Sequence, residues 1–315
     1  MMTKTASLNL ALPARYFPIS SDRYSTRAGL SRFGTDFGNG EKDTQLFQFD
    51  NTFEDYRNNK LNVRKQSINN YVCTDMAEPA VLRESEKWLL QHLCREHAGK
   101  FSLQTSTNNA WLNCILTGEK LLINDDFNLS PQNDFAYKNL FDALAIQVQE
   151  DICLMQNTGS TTQLIAAHLC AANHWSARDK LGMDMQHLHQ HVPGFTEDNQ
   201  EPDRLLQSIS NKGEPYVRFA WGLSEHAILN QHPTLQTTPQ SSDRLFMRIE
   251  RQVIWPIVNT ETLLFTIRTY FHDCTELAPE QRSSLVRAVN SMSEKTLRYK
   301  KIDRADVLNK LNQGL

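Results

Sequence analysis

Three histidines two residues apart, His187, His189 and His191, stand in DMQHLHQHVPGF, just ahead of a Val-Pro-Gly stop. On a strand their imidazoles would share a face and could hold zinc with a fourth position open. On a helix only His187 and His191 are neighbours. LGMDMQHLHQHVPGF reads as a helical turn ended by Pro193 and Gly194, which spreads the trio and weakens the zinc reading. Surface or structural histidines are the competing reading. A second set of chemistry-bearing residues lies on expected strands, where side chains alternate between faces. In RLFMRIERQVIW, Arg248, Glu250 and Gln252 share one face, opposite Met247, Ile249, Arg251 and Val253. In LLFTIRTYF, Thr266, Arg268 and Tyr270 oppose Leu263, Phe265 and Ile267; in PYVRFAWGL, Tyr216 and Arg218 oppose Val217, Phe219 and Trp221. Three strands thus each pair a dry face with one carrying Arg, Glu and Tyr. Because a guanidinium fork grips carboxylates bidentately, such a face suits a pocket for a carboxylate-bearing ligand. Glu250, set among arginines, would either be paired or meet a cationic ligand. A half-exposed sheet with one solvated side is the alternative.

Other chemistries find less support. The six cysteines, Cys73, Cys94, Cys114, Cys153, Cys170 and Cys274, form no C-x-x-C pair, against a zinc ribbon, an iron–sulfur loop or a disulfide scaffold. Cys153 and Cys170 lie inside apolar strands, which suits buried thiols better than thiolate ligands to haem. There is no G-x-S-x-G for a serine hydrolase, and no G-x-G-x-x-G or G-x-x-x-x-G-K-[ST] to cradle a nucleotide.

These residues need elements to hold them. With 315 residues and 40% apolar content, the chain can bury a core. Its net charge of -3 offers no general attraction to nucleic acid or anionic lipid, and no apolar run is long enough to span a bilayer. No signal peptide is read in MMTKTASLNLALPARYFPIS, and unpaired cysteines fit a reducing cytoplasm. Residues 1–45, polar and rich in Ser, Thr and Gly, are expected to form a loosely ordered lead-in. A helix is expected from Phe53, and a stronger one from Glu78 to His97, where Val81, Leu82, Trp88, Leu89 and Leu93 recur near a 3.6 period. Five strands follow: VQEDICLMQ, TTQLIAAHLC, PYVRFAWGL, RLFMRIERQVIW and TLLFTIRTYF. Without regular intervening helices they suggest an antiparallel sheet and an α+β fold. PEQRSSLVRAVNSM and DRADVLNKLN close the chain as helices. The expected organisation is the lead-in, one domain over 46–300, and a C-terminal helix over 301–315.

The segments HWSARDKLGMDMQHLHQHVPGF, VRFAWGL, RIERQVIWPIVNTETLLFTIRTYF and SLVRAVNSMSEKTLRYK resemble the haem-dependent oxidative N-demethylase family, as do FQFDNTFEDYRNNKL and VQEDICLMQ upstream. The resemblance implies a PAS-like fold, a five-stranded antiparallel sheet with flanking helices cupping a b-type haem. It implies a monooxygenase subunit that removes a methyl group from a small secondary amine such as dimethylamine, using dioxygen and electrons from a flavin/iron–sulfur reductase. The H-x-x-V-P-G block places the family's histidine at His189, which would be the axial iron ligand. Arg248, Arg251 and Arg268 would hold the haem propionates, and Trp175 and Trp221 would pack on the porphyrin. Glu250 would meet the substrate ammonium, while Tyr270 or Arg218 would donate a hydrogen bond on the oxygen side of the haem. A haem sensor or carrier using the same cup without turnover is the rival reading.

Overall fold

The computed structural model describes residues 10–130, 136–199, 201–235, 241–258 and 260–312. The first nine residues of the expected lead-in and the last three of the C-terminal helix lie outside them. The strands are β1 (Ser31–Arg32), β2 (Val72–Cys73), β3 (Phe101–Thr105), β4 (Asn109–Cys114), β5 (Glu119–Asn124), β6 (Asp151–Asn157), β7 (Thr162–His168), β8 (Tyr216–Ser224), β9 (Phe246–Ile257) and β10 (Thr262–Asp273). The helices are α1 (Phe53–Tyr71), α2 (Pro79–Glu96), α3 (Leu140–Ile146), α4 (Ala177–Lys180), α5 (Met185–Leu188), α6 (Phe195–Asp198), α7 (Pro202–Lys212), α8 (Pro279–Asn290), α9 (Glu294–Lys300) and α10 (Arg304–Asn312). Pro79, Pro202 and Pro279 each start a helix, where the missing N–H costs nothing. Leu89, Leu90 and Leu93 bury the inner face of α2, as the 3.6 period requires.

All five expected strands are present, but they do not make up the whole sheet. The antiparallel sheet has seven strands in the order β1-β8-β9-β10-β6-β7-β2, the outermost two only two residues long. A separate three-stranded sheet, β3-β4-β5, lies in a region where no strand is expected. The expected lead-in is also no loose tail over its described part: Ala14, Tyr16 and Ile19 are buried in the core.

Register corrects the expected polar face. Arg268 of β10 pairs with Arg251 of β9, and Tyr270 with Ile249, so Arg251, Arg268 and Tyr270 share one face. Arg218 of β8 pairs with Gln252, and Ala220 with Glu250, so Arg218, Glu250 and Gln252 lie on the other, together with Leu263, Phe265 and Ile267. The polar residues of the three strands are thus divided between the two faces. The first face packs beneath α1, α2, the segment 45–50 and the C-terminal helices. The second packs against α5 and α7, with Leu188, Leu206 and Ile209 meeting Ile254, Leu263 and Ile267.

Glu96, at the end of α2, ties that helix to the chain entering α1. Its carboxylate accepts the N–H groups of Leu46 at 2.7 Å and Phe47 at 3.0 Å, and His97 lies 3.0 Å away. Burial opposes its ionisation, but hydrogen bonds from His92, His97 and the two N–H groups outweigh that and hold its pKa at about 2. A carboxyl whose folded pKa is depressed contributes stability fully above its unfolded value and loses it as pH falls through the folded one. Glu96→Gln is therefore expected to flatten the acid limb of the stability curve between pH 4.5 and 2 by up to about 3 kcal/mol, read by urea unfolding across that range.

Candidate functional site

The second face of the sheet does not pack continuously. Between it and the stretch 173–195 lies a cavity with about 1410 Å³ of atom-free space, counting its opening to solvent. Its floor is Ile254, Leu263, Phe265 and Ile267, with Cys153 and Met155 of β6 beside them. Its roof carries Trp175, Lys180, His189 and Phe195. Burial pushes the Cys153 thiol far up, so the cavity presents a neutral thiol there and no thiolate.

His189 is the histidine of the trio that reaches the cavity. Asp184 caps α5 by accepting the His187 N–H at 2.8 Å, and the turn ends with His189 at the C-cap. That turn sends His187 and His191 outward; both are exposed, and His187 Nδ1 rests 2.7 Å from Asp184. His189 Nδ1 instead donates to the carbonyl of Met185 at 3.0 Å. With that tautomer fixed, Nε2 carries the lone pair and has no hydrogen-bond partner among the described residues. The ring stacks on Phe195 at a centroid distance of 4.4 Å and an interplanar angle of 13°. Gly194, with φ of +82°, makes the left-handed turn that starts α6 and brings Phe195 there; a Cβ at this position would meet the Thr26 hydroxyl at 3.7 Å. Burial, aided by Lys180 and Arg218, lowers the His189 pKa to about 4, so the imidazole is neutral at physiological pH.

Arg218 donates from Nε to the carbonyl of Ala28 at 2.8 Å and from Nη1 to Gln252 at 2.9 Å. Gln252 in turn donates to Glu250 at 3.0 Å. Among the described residues three cations, Lys180, Arg218 and Lys300, line the cavity against the single carboxylate of Glu250. Neither Lys180 nor Arg218 forms an ion pair with a carboxylate among the described residues.

Of the residues expected from sequence, the structure brings His189, Trp175, Arg218 and Glu250 to the cavity, and Trp221 by its carbonyl, since pairing with Ile249 sets its indole in the core on the opposite face. Four others it places elsewhere. Arg251 is buried on the opposite face and donates to the carbonyls of Gln45 at 2.9 Å and Leu46 at 3.5 Å. Arg268, on that same face, pairs with Asp50 at 2.7 Å and lies over the Tyr56 ring. The Tyr270 hydroxyl donates to Gln48, again on that side. Arg248 shares a face with Glu250 but lies beyond the cavity, held by the carbonyls of Ala171, Ile228 and Leu229. Its Nε lies 3.7 Å from Glu250, so with both Nη atoms on backbone carbonyls this guanidinium has no fork left for a ligand carboxylate.

Sequence reasoning missed Tyr24, Thr26, Lys180, Phe195, Tyr299 and Lys300, all of which line the cavity. Lys180 and Phe195 lie in the histidine block and could have been weighed with it. Tyr24 and Thr26 come from a Ser/Thr-rich stretch with no periodic signal. Thr26 is pinned by Asp198, which accepts its N–H at 2.9 Å and its hydroxyl at 2.7 Å.

A His/Cys/Asp grouping also exists away from the cavity, where Asp151, His168 and Cys170 meet in the interior. Asp151 accepts the N–H groups of Cys170 at 2.8 Å and Ala171 at 2.7 Å, and His168 bonds Asp142 at 3.1 Å. The Lys60 ammonium, bonded to three carbonyls, already supplies positive charge beside Asp151. These groups satisfy one another and serve the fold. Among the described residues no helix is long and apolar enough to cross a membrane.

The family model described as haem-dependent oxidative N-demethylase, alpha subunit-like matches residues 39–307 of the chain.

Proposed function

The chain belongs to the haem-dependent oxidative N-demethylase alpha subunit-like family, and from that premise we propose that its cavity binds a b-type haem and removes a methyl group from a small secondary amine. The observation that carries this reading is His189: one ring nitrogen is anchored to the Met185 carbonyl and the other is free in the cavity. That is how an axial imidazole is held ready for iron. The rest of the donor set fits as well. Apolar side chains and the Trp175 indole suit a porphyrin face, and Lys180 and Arg218, which form no ion pair with a carboxylate among the described residues, match the two propionates of haem in number and sign. They replace Arg248, Arg251 and Arg268 in that role. On this reading the five long strands and the helices over them form the PAS-like cup.

When bound, the haem supplies the activation of dioxygen and the passage of electrons. The chain's own residues do the rest. His189 would hold the iron; Phe195 and the Met185 carbonyl keep the imidazole from turning. A secondary amine is protonated at neutral pH, and Glu250 offsets the hydration its ammonium loses on entry. Gln252 holds Glu250 in place. The apolar floor keeps bulk water out. The products are the shorter amine and formaldehyde. The chain carries no C-x₄-C-x₂-C spacing, so the reading assigns the electrons to a separate flavin/iron–sulfur reductase.

The test is the absorbance spectrum of the purified protein, followed by incubation with dimethylamine, oxygen and a reductase and an assay for formaldehyde. A Soret band with formaldehyde formation is expected. Haem without formaldehyde would leave a sensor or carrier, and a protein that stays colourless after haem reconstitution would end both readings.

A further inference from the structure

Lys300 ends α9 with its ammonium turned into the cavity. Nζ donates to the carbonyl of Trp221 at 2.9 Å and stands 5.0 Å from the centre of the Tyr24 ring. Glu250 lines the same space and attracts that charge. Tyr24 is fixed in turn, its N–H donating to Ser291 at 2.9 Å and its ring meeting Trp221 at 5.5 Å. A carbonyl to take an N–H, a ring face to take a cation and a carboxylate to balance it are what an alkylammonium needs. Lys180 also meets a carbonyl and an indole, those of Leu188 and Trp175, but no carboxylate of the described residues pairs with it. Arg248 Nε also stands 3.7 Å from Glu250, but inside the cavity the Glu250 corner is the one where an ammonium site and a carboxylate come together among the described residues.

We propose that the Trp221 carbonyl, the Tyr24 ring and the Glu250 carboxylate form the ammonium subsite for the amine substrate, and that Lys300 occupies it until a small protonated amine displaces it. This rests on the N-demethylase reading and adds to it a residue that sets amine affinity. The flexible stem of a lysine at a helix end lets the ammonium withdraw toward solvent. Burial lowers the Lys300 pKa to about 8 and Glu250 only partly offsets this, so the ammonium is not held strongly there. Substrate size follows too: the corner accommodates one ammonium and its small substituents.

Calorimetric titration of the full-length protein with dimethylammonium chloride tests this, with haem content read separately by absorbance. Lys300→Met is expected to tighten amine binding about tenfold, or about 1.4 kcal/mol. Lys300→Arg should show no such gain, and adding Tyr24→Leu to Lys300→Met should remove most of it. Unchanged or weaker binding by a folded Lys300→Met protein overturns the proposal. A second measurement needs no variant: dimethylammonium should raise the acetylation of Lys300 in the wild-type protein, followed by peptide mass spectrometry. Lys300 labelling that does not respond to amine overturns it as well. Amine-dependent exposure of Lys300 without formaldehyde formation would sink the demethylase reading alone.

Discussion

Replacing His189 with alanine is expected to abolish the Soret band of the haem-reconstituted protein, whereas His187→Ala and His191→Ala keep it. The three side chains stand two residues apart, but only His189 faces the cavity. Its Nδ1 is committed to the Met185 carbonyl, so its Nε2 is the imidazole nitrogen without a hydrogen-bond partner among the described residues, the one the proposed haem would use. Losing a group that merely orients a metal ligand typically costs 10–100-fold in affinity, so losing the ligand itself should cost more than about 100-fold. The two exposed histidines are not among the residues that line the cavity, and their removal should change haem affinity less than about twofold. Haem titration followed at the Soret maximum compares all three. A full-strength band in His189→Ala would move the ligand elsewhere.

Arg268→Ala and Asp50→Ala are each expected to destabilise the haem-free protein by about 3–5 kcal/mol, because each leaves one charge of a buried pair uncompensated. The pair is fully enclosed, with 2.7 Å between Arg268 and Asp50, and the guanidinium lies between the rings of Tyr56 and Tyr270. Arg268 opposes burial of the Asp50 charge, and with Thr52 and Gln149 it holds that carboxyl below its ordinary pKa. Urea unfolding without haem separates this role from the one first expected of Arg268. An anchor for propionates would lower haem affinity when replaced and leave the empty protein as stable as before. Replacing both members with leucine should recover part of the loss, since the cost of the single changes is the orphaned charge.

The helix periods, the prolines at helix starts and the five β-rich runs were legible in the residues, because each is a local pattern. So was the turn that separates His189 from its neighbours, written in Pro193 and Gly194. The strands β3, β4 and β5 were not, since FSLQT, NAWLNC and EKLLIN mix polar and apolar residues without clean alternation. Lys300 and Tyr24 were also hidden: each acts in the cavity only because distant elements fold onto the same corner.

By itself, the sequence determined which residues alternate within each strand, and its segment resemblances gave the family. Only the tertiary structure decided which strand faces coincide. Alternation sets a phase within one strand but not between two, and shifting the register by one residue sends every side chain to the opposite side. Pairing Arg268 with Arg251 and Arg218 with Gln252 sent two arginines and Tyr270 into the core and left Arg218 with Glu250 at the cavity. Asp50 then meets Arg268 across 218 residues of chain, a partnership that no local pattern encodes.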